Sequence, residues 1–537
     1  MSTSWTEKVR EGLGLGPGES KYAPINQDGT LEGQQPQPQP SRRRSIIKVV
    51  ASLSLLWLFL FLAYRSGFVG YHNSASEDDD SQIKSNFFHL VIPGSSAGFC
   101  RTLFSAGALN YPTPRIVNWD KKFEDSEKLD GGFHLAKIEG VNDFLQKLDG
   151  SHHHELVYIP DGLDTWFQLR PEVLIQRYND LRHRLEQRTW PRYGLKYDQT
   201  IIFSAQKKCE AGENAFPCSM VPPAALPEGS YGDGIASPRY LNSGSIMGSV
   251  GALKALFEHA KWKSEQRKYF SDQEVFAEIF GDQEYHREKV LFENPEAANA
   301  TDPDDPRNDR VHEPTTKLPC DACQFGIGLD YWGELSTTAA DFEDGLIPIN
   351  YAKDSGNFAD FTVPEDISES TPPFWTPDYS GEVQLPSKSW SEVDLITNRY
   401  SGVRPVTIHH GATADASKLW QRNWHFPYLR TLTSAHAKSM RIPFAVVKDD
   451  EGQVREYWGP NDGFGGARLH ETSGLPGQWK QWDELCGGDE VANDVFADNL
   501  GAYKNPIYYL YWDGNRQGDQ IKTWQDRMDE AKKLNRR

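Results

Sequence analysis

Four short stretches of this chain carry residue types suited to catalysis. Asp161 and Asp164 stand three apart in DGLD, directly after the strand-like run ELVYIP. Two carboxylates so placed can converge on one hard divalent cation, with Gly162 allowing the tight turn between them. Such a cation suits a departing nucleoside diphosphate, whose pyrophosphate leaves as concentrated negative charge. The same spacing also serves an ordinary Asx turn. Asn242-Ser243-Gly244, inside RYLNSGSIMG, combines short polar side chains with bare backbone that can admit a sugar close to a sheet, or simply form a strand bulge. Ser271-Asp272-Gln273-Glu274 has the Ser and Glu of a capping box at a helix start, which leaves Asp272 and Gln273 in the first turn to face an acceptor. Finally, VTIHHG places His409 and His410 after a strand, where one neutral imidazole can complete a metal shell or serve as a hydrogen-bonded structural group. His152, His153 and His154 precede a strand and read as a solvated loop.

These residues need elements to hold them. Strands are expected at Phe88 to Pro93, Arg115 to Trp119, Glu155 to Ile159, Thr200 to Ser204 and Tyr240 to Val250. Helices are expected at Cys100 to Leu109, Val141 to Leu148, Arg170 to Gln187 (with Pro171 in its first turn), Ala252 to Ala260 and Asp272 to Phe280. Alternation of strand and helix predicts an α/β domain whose ligands collect at the carboxyl ends of parallel strands. Residues 363–392 read as a long connection, and residues 429–537 show no clear period.

The span Ile46 to Tyr64 is apolar enough to cross hydrocarbon, and at ~1.5 Å rise per residue it reaches roughly 28 Å. Arg42, Arg43, Arg44 and Lys48 crowd its N-terminal flank, while Glu77, Asp78, Asp79 and Asp80 follow its far side. The positive-inside bias therefore expects a cytosolic N-terminus and a luminal bulk. A cleaved signal peptide is the competing reading, opposed by the long upstream chain. The expected organisation is a disordered cytosolic tail (1–45), a transmembrane anchor (46–64), a luminal stem (65–87), a catalytic domain (88–428) and a C-terminal extension (429–537). A net charge of −19 without a basic stripe argues against nucleic acid as a partner. All six cysteines follow the anchor, so structural disulfides are expected. Cys320 and Cys323 can also be read as a redox or zinc pair. The sequon at Asn299 is expected to carry a glycan on an exposed loop.

The motifs FHLVIPGSSAGFC, DGLDTWFQLRPEVLIQRY, FSAQKKC, RYLNSGSIMG, SDQEVF, IGLDYWGEL and VTIHHG together resemble the glycosyltransferase domain of the procollagen lysyl hydroxylases and their fungal relatives, over roughly residues 88 to 425. The resemblance implies a GT-A-like α/β fold, a mixed nucleotide-sugar-binding sheet flanked by helices. It also implies a UDP-sugar donor and Mn²⁺ as cofactor. Carried over by position, Asp161, Asp164 and His409 become metal ligands, with His410 the alternative imidazole, and Lys137 lies near the donor phosphates. Asn242, Ser243 and Gly244 shape the sugar pocket, and Asp272 and Gln273 form the catalytic acceptor side. Leu163 stands where the family often has an aromatic, and Ser271 where it has an Asp. No hydroxylase segment follows, so collagen lysine is not implied as substrate. The expected activity is hexose transfer to a luminal protein or glycan in the Golgi or endoplasmic reticulum membrane. The alternatives are a catalytically silent binding or assembly factor of the secretory pathway and a metal-dependent hydrolase.

Overall fold

Buried hydrophobic runs bounded by turn residues set the strands of this chain, and amphipathic runs set its helices. The computed structural model describes residues 87–505 except 96, 120–131, 211–215, 223–235, 294–323, 343–344, 355–361, 377–384, 412–418, 438–443, 449–452, 461–464 and 471–476. The expected tail, anchor and stem, the sequon at Asn299 and the pair Cys320 and Cys323 therefore lie outside the described residues. Among the described residues no helix is long and apolar enough to cross a membrane.

The first half of the fold runs β1 (Phe88–Pro93), α1 (Cys100–Ala108), β2 (Arg115–Val117), α2 (Gly132–Gln146), β3 (Leu156–Pro160), β4 (Thr165–Phe167), α3 (Pro171–Tyr193), β5 (Ile201–Gln206), α4 (Phe216–Ser219), β6 (Tyr240–Ser249), α5 (Val250–Ser264) and α6 (Asp272–Glu293). It continues through β7 (Ile327–Asp330), β8 (Ser336–Thr338), β9 (Leu346–Asn350), α7 (Glu365–Ser368), β10 (Asp394–Asn398), β11 (Thr407–His409) and α8 (Leu429–Ala437). Then follow β12 (Ala445–Lys448), β13 (Val454–Tyr457), β14 (Gly466–Leu469), β15 (Trp479–Gln481), α9 (Trp482–Cys486) and α10 (Asp489–Phe496).

The result is a mixed α/β structure. An eight-stranded sheet has the order β15-β14-β2-β1-β3-β6-β5-β7. Its strands are parallel except where β6 inserts antiparallel between β3 and β5, and where β15 turns back beside β14. A second sheet, β4-β11-β8, stands beside the carboxyl end of β3. β1 and β3 are buried along their whole length, which accounts for their unbroken apolar composition.

Several elements differ from their expected bounds. α2 begins before Val141, at Gly132, which places Lys137 inside a helix. A Cβ on Gly140 would overlap the Asn118 side chain, so the helix passes closely over the end of β2. α3 continues past Gln187 to Tyr193, where Gly194, at φ +67°, ends it in the left-handed region. The segment after Tyr428 carries β14 into the main sheet, paired with β2, and a disulfide joins Cys100 of α1 to Cys486 of α9. A second disulfide closes the short loop from Cys209 to Cys218.

At the end of β7, buried Asp330 organises the turn into β8, accepting hydrogen bonds from the backbone N–H groups of Glu334 (3.1 Å), Leu335 (2.7 Å) and Ser336 (3.2 Å). Because β8 is the strand beside β11, this turn fixes where the His409 strand lies. Asp330→Ala leaves these donors unmet and should cost at least about 2 kcal/mol, read as a lowered urea midpoint.

Candidate metal centre

The DGLD turn is built from the end of β3. Asp161 N–H and the Thr165 hydroxyl both donate to the carbonyl of Gly244 on β6, at 2.8 and 3.1 Å. Thr165 N–H closes the turn on the Asp161 carbonyl at 3.2 Å. A Cβ on Gly162 would run into the carbonyl of Pro93, so the turn can pass the end of β1 only with glycine there. β4 then pairs antiparallel with β11, setting His409 opposite Thr165 and its imidazole beside Asp164. One ligand atom from each of Asp161, Asp164 and His409 falls within 4.8 Å of the others.

The two histidines part company here, because neighbouring strand residues face opposite sides. His409 joins the carboxylates. His410 does not: its ring lies on Trp166, centroids 3.8 Å apart, while its backbone N–H donates to the Asp164 carbonyl at 2.9 Å. Burial holds the His410 ring down to about 3, so it stays neutral. The group of side chains that could hold a metal ion includes His409 and not His410.

Asn242, Ser243 and Gly244 sit in a bulge, since the β5–β6 register jumps from Phe203 opposite Ile246 to Ser204 opposite Asn242. Asn242 holds this bulge. Its Oδ1 accepts from Gly244 N–H (2.8 Å) and the Ser204 hydroxyl (3.1 Å), and its Nδ2 donates to Gln206 (2.7 Å). A Cβ on Gly244 would overlap the His409 ring. The strand-bulge reading of the motif is what the register shows, and the bare backbone of that bulge lies against the His409 ring.

Lys137 reaches the same place from α2. It is 5% exposed, donates to the Ser243 carbonyl at 2.6 Å, and pairs with Asp272 at 3.2 Å and Asp161 at 3.8 Å. Ser271 caps α6 by accepting from Glu274 N–H at 3.1 Å, but the Glu274 carboxylate accepts from Phe270 N–H, one residue before the cap. Asp272 and Gln273 are buried rather than turned outward. Asp272 meets Lys137, and Gln273 Oε1 accepts from Ser243 N–H at 3.2 Å.

The charges in this cluster depend on one another. Burial pushes the Asp161 carboxyl above its usual range, with Lys137 opposing and Asp164 adding to the shift. Burial acts the same way on Asp164, yet the adjoining His409 ring outweighs it and holds Asp164 low. Burial disfavours charge on His409, but Asp164 and Asp161 together raise its pKa above the ordinary 6.5. His409 Nε2 lies 3.4 Å from Asp164 Oδ1, while Nδ1 of the same ring is buried against Gly244. One oxygen from each aspartate and one imidazole nitrogen form a group that could hold a metal ion, and this donor set suits a hard to borderline divalent one.

Thr102 and Ser105 support this site without any motif to mark them. Thr102 Oγ1 donates to the Gly162 carbonyl at 2.8 Å, and Ser105 Oγ accepts from Phe167 N–H at 3.2 Å. The only sequence signal for either is its position on the helix after the first strand. A comparison with protein-family models finds no match, and a search of the curated proteins finds none either.

Gly244→Ala should displace the His409 ring and weaken Mn²⁺ binding roughly ten- to hundredfold by isothermal titration calorimetry. The pH dependence follows from the raised His409 pKa. A protonated ring cannot ligate, so affinity should fall as pH is lowered through a value above 6.5, by up to about tenfold per unit. His409→Asn should flatten that part of the profile. In the ion-free protein the sign is opposite: the stability contributed by protonated His409 is full below 6.5 and is lost as pH rises through the folded pKa.

Proposed function

We propose that this protein is a metal-dependent glycosyltransferase with a GT-A-like fold, moving a hexose from a UDP-sugar to a luminal protein or glycan. The observation that carries the reading is the convergence of Asp161, Asp164 and His409 on one point at the carboxyl end of β3, beside the bulge of β6. Carboxyl ends of parallel strands are where α/β sheets hold nucleotides. In this reading Asp161, Asp164 and His409 hold Mn²⁺, which offsets the charge of the departing diphosphate. Ser243 and Gly244 offer main chain to the donor sugar, and Asn242 keeps that main chain in place. Leu163, 38% exposed between the two aspartates, gives the nucleoside side an aliphatic contact. Lys137 is near enough to Asp161 to answer the donor phosphates once a cation takes over neutralisation of that carboxylate. The apolar segment from Ile46 to Tyr64 anchors the chain, with the catalytic domain in the lumen of the Golgi or endoplasmic reticulum.

The buried pairing of Asp272 with Lys137 favours a second reading, a catalytically silent relative that binds nucleotide and metal and serves as an assembly factor. In it, the acceptor-side carboxylate is committed to an internal ion pair.

The test is UDP binding by the full-length chain with Mn²⁺ and with EDTA, followed by turnover of a panel of UDP-hexoses. Mn²⁺ should strengthen UDP binding at least about tenfold, and Asp161→Asn should abolish the gain. Equal binding in EDTA sinks the metal role. Metal-dependent binding without hydrolysis or transfer of any UDP-hexose selects the silent reading, and metal binding without nucleotide affinity selects a hydrolase.

A further inference from the structure

Residues 429–505 show no period in the sequence that assigns them a role, yet their described parts contact α1, whose hydroxyls bond the DGLD turn and the strand after it. α1 bonds that turn at two points. Thr102, fully buried, donates to the Gly162 carbonyl between the two aspartates, and Ser105 accepts from Phe167 N–H at the end of β4. Ser105 Oγ also donates back to the Thr102 carbonyl at 3.0 Å, which couples the two points.

α1 itself spans nine residues, too short to be stable alone, so its position is decided by what it packs against. On the side of Cys100, Arg101 and Phe104, that is the C-terminal segment. Cys100 is bonded to Cys486, and the Arg101 guanidinium meets Asp494 at 2.5 Å. The Phe104 ring lies edge-on to Trp482, Phe496 and Tyr503 at centroid distances of 5.8, 4.9 and 4.9 Å. A Cβ on Gly107 would crowd the Trp482 ring, so helix and indole are in close contact there too. A second line of contacts reaches β4 by way of Trp166. Trp420 donates its indole N–H to the Val495 carbonyl at 2.7 Å and stands edge-on to Trp166, the ring on which His410 lies.

We infer that residues 429–505 hold the metal-binding turn in register by fixing α1, with Thr102 the positioning residue that transmits this hold to Gly162. The inference rests on the metal reading of Asp161, Asp164 and His409, and it adds a function for the C-terminal segment that the reading itself does not contain. Thr102 lies outside the Asp161, Asp164 and His409 group. It sets the carbonyl of the residue between two ligands, so losing its hydroxyl frees the turn without removing a ligand.

The experiment uses the full-length chain with Thr102→Val, Thr102→Ser and the double variant Cys100→Ser/Cys486→Ser. Two properties are read: Mn²⁺ affinity by calorimetry, and hydrogen–deuterium exchange of peptides covering residues 160–167. Thr102→Val should weaken Mn²⁺ binding about tenfold and speed exchange in 160–167 while sparing peptides from β5 and β7. Thr102→Ser should restore both, which general loss of packing would not do. The disulfide variant should reproduce the Val phenotype. The inference is overturned if Thr102→Val binds Mn²⁺ within about twofold of wild type with unchanged exchange at 160–167, or if the Ser variant behaves like Val. Should the wild-type chain bind no Mn²⁺, the metal reading falls, and the positioning role then stands or falls on the exchange result alone.

Discussion

Two carboxylates at the end of a buried strand repel one another, and the surrounding structure is arranged around that repulsion. Unit charges about 4 Å apart near a protein surface interact by about 4 kcal/mol, a sizeable share of a domain's net stability. Positive or protonatable groups therefore have to come to Asp161 and Asp164 from elsewhere in the chain. Lys137 comes from α2 and His409 from β11, and each changes the ionisation of the pair. The opposite shifts of the two carboxyls follow from this division, with His409 beside Asp164 and Lys137 nearer Asp161.

Compensation requires placement, and placement depends on the antiparallel insertion of β6. Running against its neighbours, β6 brings Gly244 to the end of β3, where its carbonyl accepts from both Asp161 and Thr165. The bulge there serves two needs at once. It turns polar main chain toward the cluster, and it removes the side-chain volume that His409 occupies. Asn242, buried with both ends of its amide bonded, keeps the bulge from relaxing into regular strand. A regular ladder would pair those backbone groups with β5 and present a side chain where the ring now sits.

The position of the C-terminal segment follows from the same economy of short elements. β4 and β11 have three residues each, α1 has nine, and none is stable in isolation. Their geometry is supplied by neighbours distant in sequence, through a disulfide spanning 386 positions and an aromatic cluster drawn from both ends of the domain. The division expected at residue 428 reflects a change in composition, whereas the sheet and the disulfide run across it.

Much was legible in the sequence where local rules suffice. FHLVIP is a strand because its residues are apolar without interruption, and α3 starts at Pro171 because proline suits a first helical turn. Asp161 and Asp164 could be named as partners because a turn of fixed length keeps them close whatever else the chain does. The sequence also marked IHHG as a stretch that could supply a ligand, and the bulge in RYLNSGSIMG. It left open which histidine faces the carboxylates, since a shift of one residue exchanges the two faces of a strand and only the pairing of His409 with Thr165 decides between them. Likewise, nothing local distinguishes an exposed Asp272 from one buried against Lys137, because that depends on where a helix 135 residues away in sequence comes to lie. Residue types and short spacings thus determined what chemistry is available, and long-range packing decided which groups meet, because a side chain's partners are set by the path of the whole backbone.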